Sequence, residues 1–297
     1  LPAIGSSSFS NLHAMPFLKN INETAKFKHS ACRWCYNSIP LEEFCEKGKA
    51  LGLKAVDLLP KLARINFVFL AAFAIFTIIF DETVIAQKYG LASSMIMSQP
   101  DKFGIPHGFN RIENHEVLVP FYEKLIVRAA ELNVKNVICF SGNRDGLSDV
   151  QGIGNCAIGL RKLMPLAEKL GVIICMELLN SKIDHHDYQC DKTDWGVSLV
   201  KAVGSANFRL LYDIYHMQIM EGDVIRNIKD NHQYFAHYHT GGVPGRHEID
   251  ETQELFYPAI IKAIVETGYD GYIAQEFIPA NTNKLASLER ALKICTV

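Results

Sequence analysis

Four side chains able to hold a metal ion or move a proton recur at regular intervals in the later part of the sequence. Glu177 closes Ile173-Ile174-Cys175-Met176-Glu177, and Asp213 closes Leu210-Leu211-Tyr212-Asp213. His239 closes Phe235-Ala236-His237-Tyr238-His239, and Glu276 closes Tyr272-Ile273-Ala274-Gln275-Glu276. Each stretch reads as a short strand. Successive candidates lie 36, 26 and 37 residues apart, near the roughly 30 residues of a strand with its crossover helix. The spacing therefore predicts one ligand from each of four successive βα units. In a barrel of such units the strand ends converge on one mouth, where active sites sit.

Three carboxylates and one imidazole are too oxygen-rich for a structural zinc site, which favours thiolate and imidazole. The expected cofactor is one divalent ion, Mn²⁺ or Mg²⁺, with Co²⁺ able to substitute. Such a site would carry about one negative charge, and Arg246 in Gly241-Gly242-Val243-Pro244-Gly245-Arg246 is placed to offset it. A lone acidic residue after a strand is ordinarily a helix N-cap, but four at one-unit spacing are hard to explain that way. Strand alternation predicts that Cys175 shares a face with Glu177, and that His237 and Phe235 share one with His239.

The elements that must position these groups alternate between strand and helix patterns, which argues for a parallel sheet. Strands are expected at 30–36, 54–59, 91–98, 136–141, 172–178, 208–213, 234–240 and 271–277. Helices are expected at 41–51, 81–89, 116–132, 157–170, 194–203, 224–230, 255–267 and 285–294, with Asp81 as an N-cap. Eight strands are the count for a closed (β/α)8 TIM barrel, here a single domain over 28–297 behind an N-terminal tail at 1–27. One segment departs from the alternation. Residues 65–80 are almost wholly apolar, part of an insert near 61–80. They fall short of the ~20 residues that span a membrane, so a buried extra helix or strand–helix element is expected. A membrane-contacting or subunit-contacting insert and a sequence irregularity are the other readings.

Of the 297 residues, 48% are hydrophobic and 21% charged, ordinary for a globular enzyme large enough to need no staple. A formal charge of −2 without a basic, aromatic-laced stripe argues against nucleic-acid binding. The eight scattered cysteines read as free, buried thiols. Residues 1–11 resemble either the remnant of an export signal or a flexible tail, which leaves cytoplasm and periplasm both open. Cys32-Arg33-Trp34-Cys35 lacks the context of a redox motif, and Trp34 is expected to wall the pocket. His185-His186-Asp187 reads as a polar rim, and Gly152-Ile153-Gly154 is too short for a dinucleotide loop.

At the candidate ligands the chain also resembles the xylose isomerase-like TIM barrels, in particular the hydroxypyruvate isomerase and ketose 3-epimerase group. The resemblance rests on Glu177-Leu178-Leu179-Asn180, on the run from Asp213 through His216 to Asp223, on Gly242-Val243-Pro244-Gly245-Arg246-His247-Glu248, and on Gly268 through Glu276. It extends from about Cys32 to Val297, interrupted by the apolar insert. It implies metal ligation by Glu177, Asp213, His239 and Glu276, and substrate binding by His216, Arg246 and Asn180. It also implies that Glu177 and Glu276 form the acid/base pair. The third ligand is His, as in the epimerases, where the hydroxypyruvate isomerases resemble one another in using Gln.

The chemistry expected of such a site is proton removal from a carbon between a carbonyl and a hydroxyl, through an enediolate. Return of the proton to the neighbouring carbon isomerises, and return to the opposite face of the same carbon epimerises. The expected partner is a small hydroxycarbonyl compound or sugar; membrane contact is disfavoured, and a homo-oligomer is left open, with the apolar insert as one contact. Alternatives are a ketose 3-epimerase, an inosose-type dehydratase, and a non-enzymatic sugar-binding barrel. A nuclease of the abasic-site class would want more histidines, several zinc ions and a basic rim.

Overall fold

The computed structural model describes residues 27–60, 63–65, 78–80 and 82–297. Ten short parallel strands make one sheet: β1 (Lys28–Cys32), β2 (Ala55–Asp57), β3 (Leu59–Pro60), β6 (Ala92–Ser93), β7 (Met95–Met97), β8 (Asn136–Cys139), β9 (Ile173–Glu177), β10 (Phe208–Asp213), β11 (Phe235–Thr240) and β12 (Tyr272–Gln275). Their order is β3-β7-β8-β9-β10-β11-β12-β1-β2-β6. The two apparent ends are continuations of each other. Only Leu58, at φ +49°, separates β2 from β3, and only Ser94 separates β6 from β7. Ala55 pairs with Ala92 and Leu59 with Ile96, the same offset on either side of the breaks. The sheet is thus eight chain runs closed on themselves, a (β/α)8 barrel, and closure leaves no exposed edge.

Helices lie between the strands: α1 (Leu41–Leu51), α2 (Glu82–Lys88), α3 (His115–Glu131), α4 (Asp149–Leu170), α5 (Thr193–Val203), α6 (Ile214–Met220), α7 (Val224–Asn231), α8 (Tyr257–Glu266) and α9 (Lys284–Cys295). Their apolar faces pack on the strands' outer faces; Leu125, Leu160, Leu199 and Ile264 are wholly buried there. Left-handed Gly171 and Gly204 end α4 and α5 and turn the chain into the next strand.

Several elements differ from expectation. The first strand ends at Cys32, and Arg33–Tyr36 is a 3-10 turn in which the Arg33 guanidinium donates to the carbonyls of Tyr36 (2.6 Å) and Ile39 (2.9 Å). Helix α4 begins eight residues before the expected start. Ser148 and Gln151 cap it reciprocally, and that box outweighs the helix cost of Gly152 and Gly154. Gly152 serves packing, since a Cβ there would lie 2.2 Å from the Gln189 amide. The unexpected α6 starts directly at Asp213. Asp81, the expected N-cap, and most of 65–80 lie outside the described residues. The ends of that run form an antiparallel pair, β4 (Ala63–Ile65) with β5 (Ile78–Phe80), rather than helix. No helix among the described residues is long and apolar enough to cross a membrane. All eight cysteines are buried and unpaired.

Candidate metal centre

Because the strands are parallel, Glu177, Asp213, His239 and Glu276 all come from C-terminal strand ends and meet at one mouth. All four are buried, with ligand atoms within 4.8 Å of one another. His239 Nδ1 lies 3.6 Å from Glu177 Oε1, 3.9 Å from Asp213 Oδ2 and 2.6 Å from Glu276 Oε2. Of the three carboxylates that this nitrogen faces, Glu276 lies nearest. Oxygen ligands on opposite sides of an ion with bonds of about 2.1 Å stand about 4.2 Å apart. The cluster therefore has the size and the buried oxygen and nitrogen donors that suit one divalent ion.

Asp213 is a helix cap and also faces the cluster, positions that sequence reasoning had treated as alternatives. Its Oδ1 accepts from the backbone N–H of Tyr215 (2.8 Å) and His216 (3.3 Å), capping α6, while its Oδ2 faces the cluster. Arg246 is brought to the same carboxylates: Nη2 donates to Asp213 Oδ2 at 2.9 Å and to Glu276 Oε2. The guanidinium lies between the rings of Trp34 (5.6 Å) and Tyr215 (5.0 Å). Its loop turns tightly, and a Cβ on Gly242 would come within 2.2 Å of the Glu248 carbonyl. His216 is wholly buried; its Nδ1 accepts the Asn180 backbone N–H at 3.2 Å, and its Nε2 sits 3.0 Å from Arg246. Asn180 is fixed in turn by Asp184, which also accepts from the Tyr215 hydroxyl.

Burial raises the Glu177 carboxyl and pushes Asp213 up to about 7. Burial acts the same way on Glu276, but Arg246 and His239 outweigh it and hold that carboxyl low. Burial and the neighbouring Arg246 keep His216 neutral. Burial would also lower His239, yet Glu276 above all holds it well above the usual imidazole range.

His237 and His239 share a face as alternation predicts, with rings 5.2 Å apart. Phe235 does not join them. Leu210 pairs with Phe235 but Leu211 with His237, so Ala236 is a bulge that re-aims Phe235 onto Tyr212 (4.6 Å) and Tyr238 (5.9 Å). The Trp34 indole does more than wall the pocket: it donates to Glu276 Oε1 at 2.8 Å. His185 packs on His216 at 5.4 Å, whereas His186 and Asp187 are exposed. Sequence reasoning missed Asp57 altogether. This buried carboxylate accepts from Nε2 of His239 (2.8 Å) and of His237 (3.1 Å), and from the Ser94 hydroxyl. The available signal was a lone carboxylate inside the otherwise apolar run of the expected strand at 54–59, which the structure ends at Asp57.

Fold and site together define an α/β barrel with a buried, carboxylate-rich centre at its C-terminal mouth. The chain belongs to the xylose isomerase-like TIM barrel family, which it matches over residues 49–294. It is 38% identical over 109 residues to 2-oxo-tetronate isomerase of Cupriavidus necator, covering 37% of this chain and 41% of that protein. It is 27% identical over 157 residues to hydroxypyruvate isomerase of Escherichia coli, covering 52% and 60%. The chain thus spans less than two thirds of the length of these curated relatives. The solved structure of D-psicose 3-epimerase with D-tagatose, from Clostridium cellulolyticum H10, superposes with a TM-score of 0.69. At 18% identity over 91% of this chain and 100% of that one, it shows likeness of fold.

Proposed function

We propose that the protein is a divalent-metal-dependent isomerase of a small 2-oxo hydroxy acid, of the kind named for its relatives, with Mn²⁺ or Mg²⁺ held by Glu177, Asp213, His239 and Glu276. The observation that carries this reading is the convergence of three buried carboxylates on Nδ1 of His239. A bound ion would act there as a Lewis acid, easing loss of a carbon-bound proton beside a carbonyl.

The chain's own residues supply the rest. Glu177 and Glu276 take and return the proton. Their environments differ: Trp34 and Arg246 donate to Glu276, while burial raises Glu177 and favours its protonated form. Two carboxyls driven apart in this way suit an acid and a base working as a pair. Arg246, fixed between two aromatic faces, is the cation for a substrate carboxylate. Neutral His216, with Asn180 behind it, orients a substrate oxygen. A ketose 3-epimerase is the second reading, favoured by His239 as the third ligand. A dehydratase would begin with the same proton abstraction.

The deciding experiment incubates metal-stripped protein in D₂O with hydroxypyruvate, 2-oxo-tetronate, ketoses or aldoses, with and without Mn²⁺, and follows deuterium by NMR. The expected result is Mn²⁺-dependent exchange at the carbon beside the carbonyl of a 2-oxo acid, with the isomer as product. Exchange confined to C3 of a ketose would favour the epimerase. Absence of exchange with every substrate would overturn both readings and favour a binding role.

A further inference from the structure

Below the candidate ligands, Asp57 is a wholly buried carboxylate that ends β2, in the second barrel run. Its Oδ2 lies 2.8 Å from His239 Nε2, 3.1 Å from His237 Nε2 and 3.5 Å from the Cys32 thiol, while Oδ1 accepts from Ser94. A carboxylate has only acceptor sites, so every group facing Asp57 must present a hydrogen. In the neutral ring, the form that can ligate an ion, the one imidazole proton of His239 is thereby placed on Nε2, and the lone pair is left on Nδ1, the atom that faces Glu177, Asp213 and Glu276. The same contact sets the rotation of the ring about its long axis. An imidazole whose far nitrogen donates to a carboxylate is also a more basic metal ligand.

We infer that Asp57 is the positioning residue of the metal centre, and that Ser94 and His237 hold Asp57 in turn: the four run as a chain Ser94–Asp57–His239–metal site, with His237 as a side brace. This inference rests on the metal reading proposed above. None of Asp57, Ser94 and His237 is among the four ligands. His237 gives the carboxylate a second N–H donor, and its own Nδ1 makes no hydrogen bond. Its contact with the Asp57 oxygen is the part it plays in this chain. The arrangement also accounts for how a carboxylate with no Arg or Lys partner among the described residues is tolerated at full burial, since four polar hydrogens surround its two oxygens.

The test measures Mn²⁺ binding to metal-stripped protein by electron paramagnetic resonance of the free ion, alongside long-range ¹H–¹⁵N NMR of the Mg²⁺-loaded protein. One ion per wild-type chain is expected. Asp57→Asn keeps the shape but removes the anionic acceptor, and should weaken Mn²⁺ binding about 10- to 100-fold. Ser94→Ala touches no ligand and should weaken it less than Asp57→Asn but measurably. The loaded wild type should show His239 protonated at Nε2 alone. If wild-type protein binds no ion, the metal reading itself fails. Wild-type binding with unchanged affinity in a folded Asp57→Asn would overturn the role of Asp57. A His239 lacking the Nε2 proton in the loaded wild type would overturn it too, even if the variants do not fold.

Discussion

The two halves of the barrel contribute to the mouth in different ways. The later half, β9 to β12, supplies the candidate ligands, one per strand, all of the types that bind hard divalent ions. The earlier half supplies supports for them, beside Arg246 and His237 of the later half. Asp57 and Ser94 come from the second and third runs, Cys32 ends β1, and the turn after it carries Trp34, whose indole reaches Glu276. The ligand half is uniform because a metal accepts few donor types at fixed distances. The supporting half is mixed because any donor or acceptor of the right reach will do. The first kind of residue leaves a periodic trace in a sequence, and the second does not.

The sharpest way to break this comparison is to remove a proton acceptor from the later half. Glu177→Gln and Glu276→Gln should each lower kcat about 10²- to 10⁴-fold, measured on the substrate that exchanges deuterium. Near-normal turnover in either would remove the acid/base assignment. The supporting half should give a smaller effect. Trp34→Phe keeps the ring against Arg246 but removes the N–H to Glu276. A hydrogen bond to a charged group is worth about 1.5–3 kcal/mol, so kcat/KM should fall about tenfold or more, while an unchanged value would make Trp34 a wall only.

Acid should weaken the ligand half as a unit. Burial places Asp213 at about 7 in the metal-free protein, and His239 is held protonated by its carboxylate neighbours. Both must shed a proton to bind an ion. The apparent Mn²⁺ affinity should therefore decline as pH is lowered through about 7 and rise above it, as read by titration calorimetry between pH 6 and 8. Affinity independent of pH over that range would mean that Asp213 is not a ligand. The smallest effect is expected far from the mouth. Ser148→Ala removes the N-cap of α4 and should cost about 1 kcal/mol of stability, seen in denaturant unfolding, with Mn²⁺ affinity unaltered.

Much of this architecture is legible before any coordinates. Alternating strand and helix patterns mark out eight barrel runs, and 41–51 and 208–213 agree with α1 and β10 to the residue. The start of α4 was hidden because Gly152 and Gly154 look like loop residues, although Ser148 and Gln151 spell its cap. Helix α6 was hidden because its seven residues directly follow a strand with no connecting loop. The bulge at Ala236 was out of reach as well, since a one-residue slip in a ladder depends on the neighbouring strand.

Local periodicity and the length of a βα unit are enough to give the parallel barrel and to bring Glu177, Asp213, His239 and Glu276 to one mouth. Which nitrogen of His239 faces the carboxylates, that Arg246 reaches Asp213 and Glu276 beside two rings, and that Asp57 lies beneath them emerge only in the folded chain. Those facts depend on contacts between residues as far apart as Asp57 and His239, which meet only when the first and last strands of the barrel close against each other.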